Sequence, residues 1–240
     1  MKNLVGILAL LIINTSVFAN DNKKIEPSLQ VMAKSGLKLR LSPNLDAPVL
    51  EVIAYGEEVT KTDDYVEART KLTFNWVEGS WIKVKYKNQV GFVFDGFVSQ
   101  LEVPQEDAEF ASRINDLGFS IYNWAHLNND LVNSDTLSQT EAALTTLTSL
   151  GNHELFVHDT ETGSKVELTL SDVRIMDAYH LLESMMDTRS ARAVFKENTT
   201  FFSGTDGKVN KLKVADGQIL ISKLDNGSVK ISCHSIHEGC

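Results

Sequence analysis

The chain has 240 residues, 42% apolar and 23% charged, a balance that suits a foldable globular protein and excludes long disorder, collagen and mucin-like repeats. A formal net charge of −9 excludes broad nucleic-acid binding, because phosphate contacts need clustered Lys and Arg and no basic stripe is present. Residues 30–103 hold 9 Lys plus Arg against 10 Asp plus Glu, whereas residues 104–240 hold 11 against 20, together with all six histidines and both cysteines. That shift predicts two units, 29–103 and 105–240, joined by the connector Glu102-Val103-Pro104-Gln105-Glu106-Asp107. A fragment ending near residue 104 is expected to fold alone.

Chain order begins with an address. Lys2 supplies a positive start, Leu4 to Ile13 is an apolar run, and Val17-Phe18-Ala19 puts small residues three and one before a cut at Asn20. Asn14, Thr15 and Ser16 end the run well short of the roughly 20 apolar residues that span a bilayer. Residues 1–19 therefore read as a signal peptide cleaved after Ala19. The expected product is secreted or periplasmic, with no stable membrane insertion after cleavage.

The first unit reads as short strands. Leu29 to Ala33 alternates, Leu37, Leu39 and Leu41 repeat at every second residue, and Val49 to Ile53 follows a turn at Ser42-Pro43-Asn44. Glu58 to Thr62 comes after the turn Tyr55-Gly56-Glu57. Beyond a polar insertion at residues 63–79, Trp81 to Tyr86 and Val90 to Phe94 flank Lys87-Asn88. Short strands without a helical period between them predict a small twisted barrel.

Five landmarks in this stretch carry a resemblance. Gly36-Leu37-Lys38-Leu39-Arg40-Leu41-Ser42-Pro43, Ala47-Pro48-Val49-Leu50, Tyr55-Gly56-Glu57-Glu58-Val59, Trp81-Ile82-Lys83-Val84 and Val90-Gly91-Phe92-Val93 occur in the order seen in bacterial SH3-type domains. Residues 29–103 resemble that family. Lys38, Ser42 and Phe92 replace its usual Asn, Gly and Trp, and the insertion at 63–79 is longer than usual. The resemblance implies a non-catalytic SH3-like barrel of an exported bacterial protein, aimed at cell-wall peptide or a protein partner of the envelope. Tyr55, Trp76, Trp81, Phe92 and Phe97 are the candidate ligand-binding residues, since aromatic faces combine contact area with a polar handle. For most of these rings the core is the favoured reading, and Phe92 and Phe94 share one strand face while Val93 takes the other.

The second unit changes period. Phe110, Ile114, Leu117, Ile121 and Trp124 fall at helical steps and predict a helix over 108–128. Ser138-Gln139-Thr140-Glu141 has the form of a capping box and predicts a second helix over 142–150, stopped by Gly151. Residues 154–158 and 165–170 read as a hairpin, and 173–186 as a third helix. Strands are expected at 193–196, 212–214, 218–223 and 228–232. The expected fold class is an all-β SH3-like barrel followed by an α+β domain of helices and then an antiparallel meander.

Chemistry in this unit is sparse. His153-Glu154-Leu155-Phe156-Val157-His158 has its histidines five apart, whereas zinc ligation from one helix face needs four, and in a strand they fall on opposite faces. Cys233-His234-Ser235-Ile236-His237-Glu238-Gly239-Cys240 holds metal-ligating residue types. In an exported protein, however, a Cys233–Cys240 disulfide is favoured over a metal site. No cysteine precedes residue 233, and no nucleophile elbow or phosphate loop occurs, so no reaction and no cofactor is named. The favoured reading is an exported binding or adaptor protein. The alternative is an envelope hydrolase built on His153, His158, Asp159 and His180, which requires those side chains to converge.

Overall fold

The fold was analysed in a computed structural model, which describes residues 28–62, 72–74, 76–105 and 110–236. The expected signal peptide, His237 and Cys240 lie outside the described residues, as does part of the insertion.

Strand-forming residues dominate the first half. Its strands are β1 (Ser28–Val31), β2 (Leu37–Arg40), β3 (Val49–Ile53), β4 (Glu58–Lys61), β5 (Leu72–Phe74), β6 (Val77–Gly79), β7 (Trp81–Tyr86), β8 (Gln89–Phe94) and β9 (Val98–Ser99). Seven of them form an antiparallel sheet in the order β3-β2-β8-β7-β4-β1-β9, and β5 pairs with β6 as a separate hairpin inside the insertion. The two faces of β7 do different work. Ile82, Val84 and Tyr86 join Val31, Leu39, Ile53 and Val93 in a small barrel core, while Trp81 on the opposite face enters a larger core shared with the second half.

After the connector the chain is extended. Ala111 donates its N–H to Met185 O and accepts from Asp187 N, at 2.9 and 3.1 Å. A short 3-10 turn, Ile114–Asp116, then leads into α1 (Leu117–Leu127). The expected helix over 108–128 therefore begins later, because Ala111 is held in this bridge to the end of a later helix.

Four long strands follow, β10 (Leu131–Gln139), β11 (Ala143–Leu150), β12 (His153–Thr160) and β13 (Gly163–Leu170). Then come α2 (Ile175–Met185), α3 (Arg189–Glu197), β14 (Thr199–Ser203), β15 (Val209–Val214), β16 (Ile219–Lys223) and β17 (Val229–Ile236). All eight strands make one antiparallel sheet, β10-β11-β12-β13-β17-β16-β15-β14, in which β13 and β17 join two four-stranded meanders. The protein is mostly β, with few helices.

Two expectations are corrected. Residues 142–150 form a strand paired along its length with β12, not a helix. Its β-branched Thr145, Thr146 and Thr148 favour a pleated surface, and the leucines counted as a helical stripe alternate, with Leu144 and Leu150 on one face and Leu147 on the other. Residues 193–196 form part of α3, not a strand, with Ala191 and Phe195 buried one turn apart and Thr188 capping Ala191 N at 3.0 Å. One meander consequently precedes the α2–α3 pair and the other follows it.

The larger core ties the halves together. Met32, Trp81, Phe94, Leu101 and Val103 from the first half pack in one cluster with Leu117, Trp124, Leu168, Leu182, Phe195 and Ile231 from the second. Trp124 Nε1 donates to Glu102 O at 2.9 Å, so a buried indole N–H is satisfied by the connector itself.

Candidate functional site

Local chemistry in the β5–β6 hairpin places an aromatic ring in solvent. Trp76 has φ +69°, a left-handed conformation that a bulky residue holds only when its surroundings impose it. It is 65% exposed, yet its ring stacks on Phe201 of β14, with centroids 6.1 Å apart and planes 17° from parallel. The hairpin is pressed onto the barrel at Gly79, where a Cβ would come within 2.5 Å of Asp95 Oδ1 and 2.6 Å of the Phe94 ring, so only glycine fits. Asp95 Oδ1 also accepts the Ser80 N–H at 2.7 Å.

The opposite wall begins at Arg174, the residue before α2. Its guanidinium meets Asp177 at 2.6 Å, donates to Val98 O at 2.6 Å and lies 3.8 Å from Asp95, fastening the helix start to the barrel. Burial alone would lower the guanidinium pKa. The Asp177 hydrogen bond and the Asp177 and Asp95 charges outweigh that effect and raise it, so the group stays charged.

Between these walls lies a cleft of about 360 Å³, closed at one end by the β14–β15 turn with Asp206 and Lys208. Lys208 faces Asp206 at 3.6 Å. Among the described residues, Glu78 and Lys223 on the cleft wall make no ion pair. The cleft therefore presents one indole face, one carboxylate and one ammonium that are not spent on each other.

The other aromatic candidates do not reach this cleft. Trp81 is 8% exposed and sits in the shared core against Phe94, at 6.4 Å between centroids. Phe92 is half-buried against the same core. Phe97 packs on Phe94 and, from the second half, on His180, at 5.7 and 5.2 Å. Tyr55 lies beneath Lys34, whose Nζ is 3.7 Å from the ring centroid, and its hydroxyl donates to Pro104 O at 3.4 Å. Burial, helped by the Glu183 charge, pushes the Tyr55 phenol up to about 12 against the opposing effects of Ser184 and Arg192. These four rings are taken up by the core or the connector, whereas Trp76 is largely exposed.

Sequence reasoning missed Phe201, Arg174, Glu78 and Lys223. Arg174, Phe201 and Lys223 stand more than 90 positions from Trp76, so no linear signal ties them to it, and Glu78 lies in the same insertion two residues on.

The histidines of the alternative reading sit in separate surroundings. His153 Nδ1 accepts the Ser171 N–H at 3.2 Å, His158 Nδ1 is 2.8 Å from Thr145 Oγ1, and His180 Nδ1 is 3.4 Å from Glu183. Asp159 lines a different cleft, below α1. His153 and His158 occupy opposite faces of β12, as an odd separation in a strand dictates. In β17, Cys233 is buried in the shared core and His234 is exposed on the other face, so these neighbours cannot converge on one ion. Burial pushes the Cys233 thiol well above the ordinary range, and its expected disulfide partner Cys240 lies outside the described residues.

Comparison with known proteins found no matching curated protein and no matching solved structure. Residues 35–99 match the bacterial SH3 domain family, over the stretch that holds β2 to β9. That stretch of the barrel is similar to the bacterial SH3 domain family.

Proposed function

We propose that the protein is an exported envelope-binding adaptor that takes cell-wall peptide, or an extended segment of an envelope protein, in the cleft headed by Trp76. The observation that carries this reading is an indole held exposed, in a left-handed conformation, where the SH3 domain meets the second sheet. A carboxylate, Glu78, and an ammonium, Lys223, that make no ion pair among the described residues line this cleft and suit a ligand that carries both charges, as a peptide with free termini or a diamino acid does. The SH3 domain supports the cell-wall assignment, and the amino-terminal apolar run supports export with cleavage after Ala19. A disulfide between Cys233 and Cys240 belongs to the same reading, since export reaches an oxidising compartment.

The test is sedimentation of the purified mature protein with isolated cell-wall sacculi, together with titration by a free stem tetrapeptide. Trp76→Ala should weaken binding at least about tenfold, the scale of a lost aromatic anchor, with an unchanged melting temperature. Undiminished binding by Trp76→Ala, or no retention on sacculi or on any protein of an envelope extract, would overturn the proposal.

A further inference from the structure

We infer that the protein has a second ligand site, a saccharide-binding cleft between α1 and the uncovered half of the large sheet, independent of the cleft at Trp76. Helix α1 buries Leu117, Ile121 and Trp124 over β13 and β17, and at Gly118 it lies within ordinary contact of the sheet, where a Cβ would meet Cys233 and Val166 at 3.6 and 3.7 Å. A second stripe on the same helix is left over. Phe119, Tyr122 and His126 stand three and four residues apart, and Phe119 and Tyr122 are 59% and 39% exposed. His126 fixes Tyr122 from behind, with ring centroids 4.3 Å apart and its Nδ1 2.9 Å from Tyr122 O.

These rings border a cleft of about 600 Å³ whose floor is the sheet. Ser164 and Ser235, cross-strand partners whose Oγ atoms are 2.6 Å apart, lie on that floor with Asp159, and Asn115 closes the helix end. The register continues the hydroxyl surface outward. Val157 pairs with Thr146, which pairs with Thr136 of β10, so the floor continues into two cross-strand threonines.

The chemistry selects among occupants. A phosphate or carboxylate ligand needs an available cation, and among the described residues the cation on this lining, Arg113, meets Asp116 through two guanidinium nitrogens, Nε at 3.4 Å and Nη2 at 3.3 Å. An acyl chain would meet Val157 and Val166 on this floor but would also desolvate Ser164, Ser235 and the Asp159 carboxylate beside them. Strand addition at β10 is opposed by two register breaks in that strand, at Leu131/Asn133 and Thr136/Ser138. A neutral sugar fits each part. Its apolar ring face stacks on Phe119 and Tyr122, and its hydroxyls exchange hydrogen bonds with Asn115, Asp159 and the serine pair.

The experiment is titration of isotopically labelled mature protein with chitotetraose and with cellotetraose, read by amide chemical shifts. Shifts clustered at Phe119, Tyr122, Ser164 and Ser235 are expected with at least one of the sugars. Affinity should fall at least about tenfold in Phe119→Ala/Tyr122→Ala, whose exposed rings can be removed without loss of core. Trp76→Ala should leave sugar binding unchanged, which separates this site from the proposed peptide cleft whether or not that cleft binds. Should the double variant unfold, Asn115→Ala and the wild-type shift map decide the matter. The inference is overturned by no shifts up to about 10 mM sugar, by shifts confined to the barrel, by binding unaffected in these variants, or by occupation of this face by a peptide or a second copy in place of sugar.

Discussion

His153 shows how one buried side chain sets the acid response of the molecule. It sits at the start of β12 with its Nδ1 accepting the Ser171 N–H, so its neutral form is the one the fold uses. Burial is the main cause of its lowered pKa, partly offset by the hydrogen bond with Asn152 and the charge of Asp172. The unfolded chain takes up a proton near the ordinary 6.5 while the folded chain resists, so stability falls as pH drops below that value. Glu167 and Glu183 respond at lower pH. Burial acts to raise both carboxyls, yet Lys165, Ser232 and Lys230 at Glu167, and His180 and Lys196 at Glu183, hold them below the ordinary 4.5. Their stabilisation is present above 4.5 and is lost as pH falls through the folded values. Thermal melts should therefore show a first decline on acidification from about pH 7.5 to about 5.5 and a second below the carboxyl range. His153→Asn keeps an acceptor for Ser171 and removes the titration, so it should flatten the first decline and leave the second. An unchanged first decline in that variant would show that another group sets it.

At the level of elements, α3 is the sharpest case of local chemistry against pattern. Thr188 Oγ1 accepts the Ala191 N–H at 3.0 Å, satisfying one of the donors a helix start leaves open. Thr188→Ala should cost about 1 kcal/mol, read as a lower denaturant midpoint with an unchanged slope. Loss of less than a few tenths would place the helix under tertiary control alone. The cap was legible in principle, since Thr188 stands three residues before Ala191 and the segment is rich in helix-forming Arg, Ala, Lys and Glu. The short run Ala193-Val194-Phe195-Lys196 hides it, because three apolar residues in a row fit either period. β11 fails in the opposite direction. Ser138 to Glu141 imitates a capping box, while the evidence against a helix is compositional, in the three threonines that follow. β2 and β4 were readable because buried and exposed residues alternate along them, and β7 and β8 because a short turn at Lys87-Asn88 separates two strand-forming runs. At the candidate site, Trp76 was readable as an aromatic in a polar insertion. Its stacking partner Phe201 was not, since nothing local to residues 199–203 announces a strand that meets a hairpin from the barrel. Phe119 and Tyr122 were passed over for a similar reason, because the stripe through Leu117, Ile121 and Trp124 already accounts for α1 as an ordinary amphipathic helix.

The whole molecule is governed by which core each half owns. The barrel keeps ten buried residues to itself, among them Leu39, Ile53, Val84 and Val93, and this cluster is what a fragment ending near residue 104 would rely on. The same fragment would strip the cover from Met32, Trp81, Phe94, Leu101 and Val103, all of which are 8% exposed or less in the full chain. It would also lose Arg174 as the donor to Val98 O and Trp124 as the donor to Glu102 O. Exposing several large side chains at roughly 25 cal/mol per Å² forfeits a few kcal/mol, a large share of what a barrel of this size possesses. The fragment of residues 20–105 is therefore expected to melt at least about 10 °C below the full chain and to bind a hydrophobic dye. The full chain should unfold in one calorimetric transition, because the shared cluster couples the halves. Trp81 offers the internal check. Trp81→Ala removes an indole from the shared core and should cost about 3–5 kcal/mol in the full chain. In the fragment, where that indole is already uncovered, the same substitution should cost less than half as much. A fragment that melts with the full chain, or equal costs of Trp81→Ala in both, would mean that the barrel closes over its own aromatic residues and that the two halves merely touch.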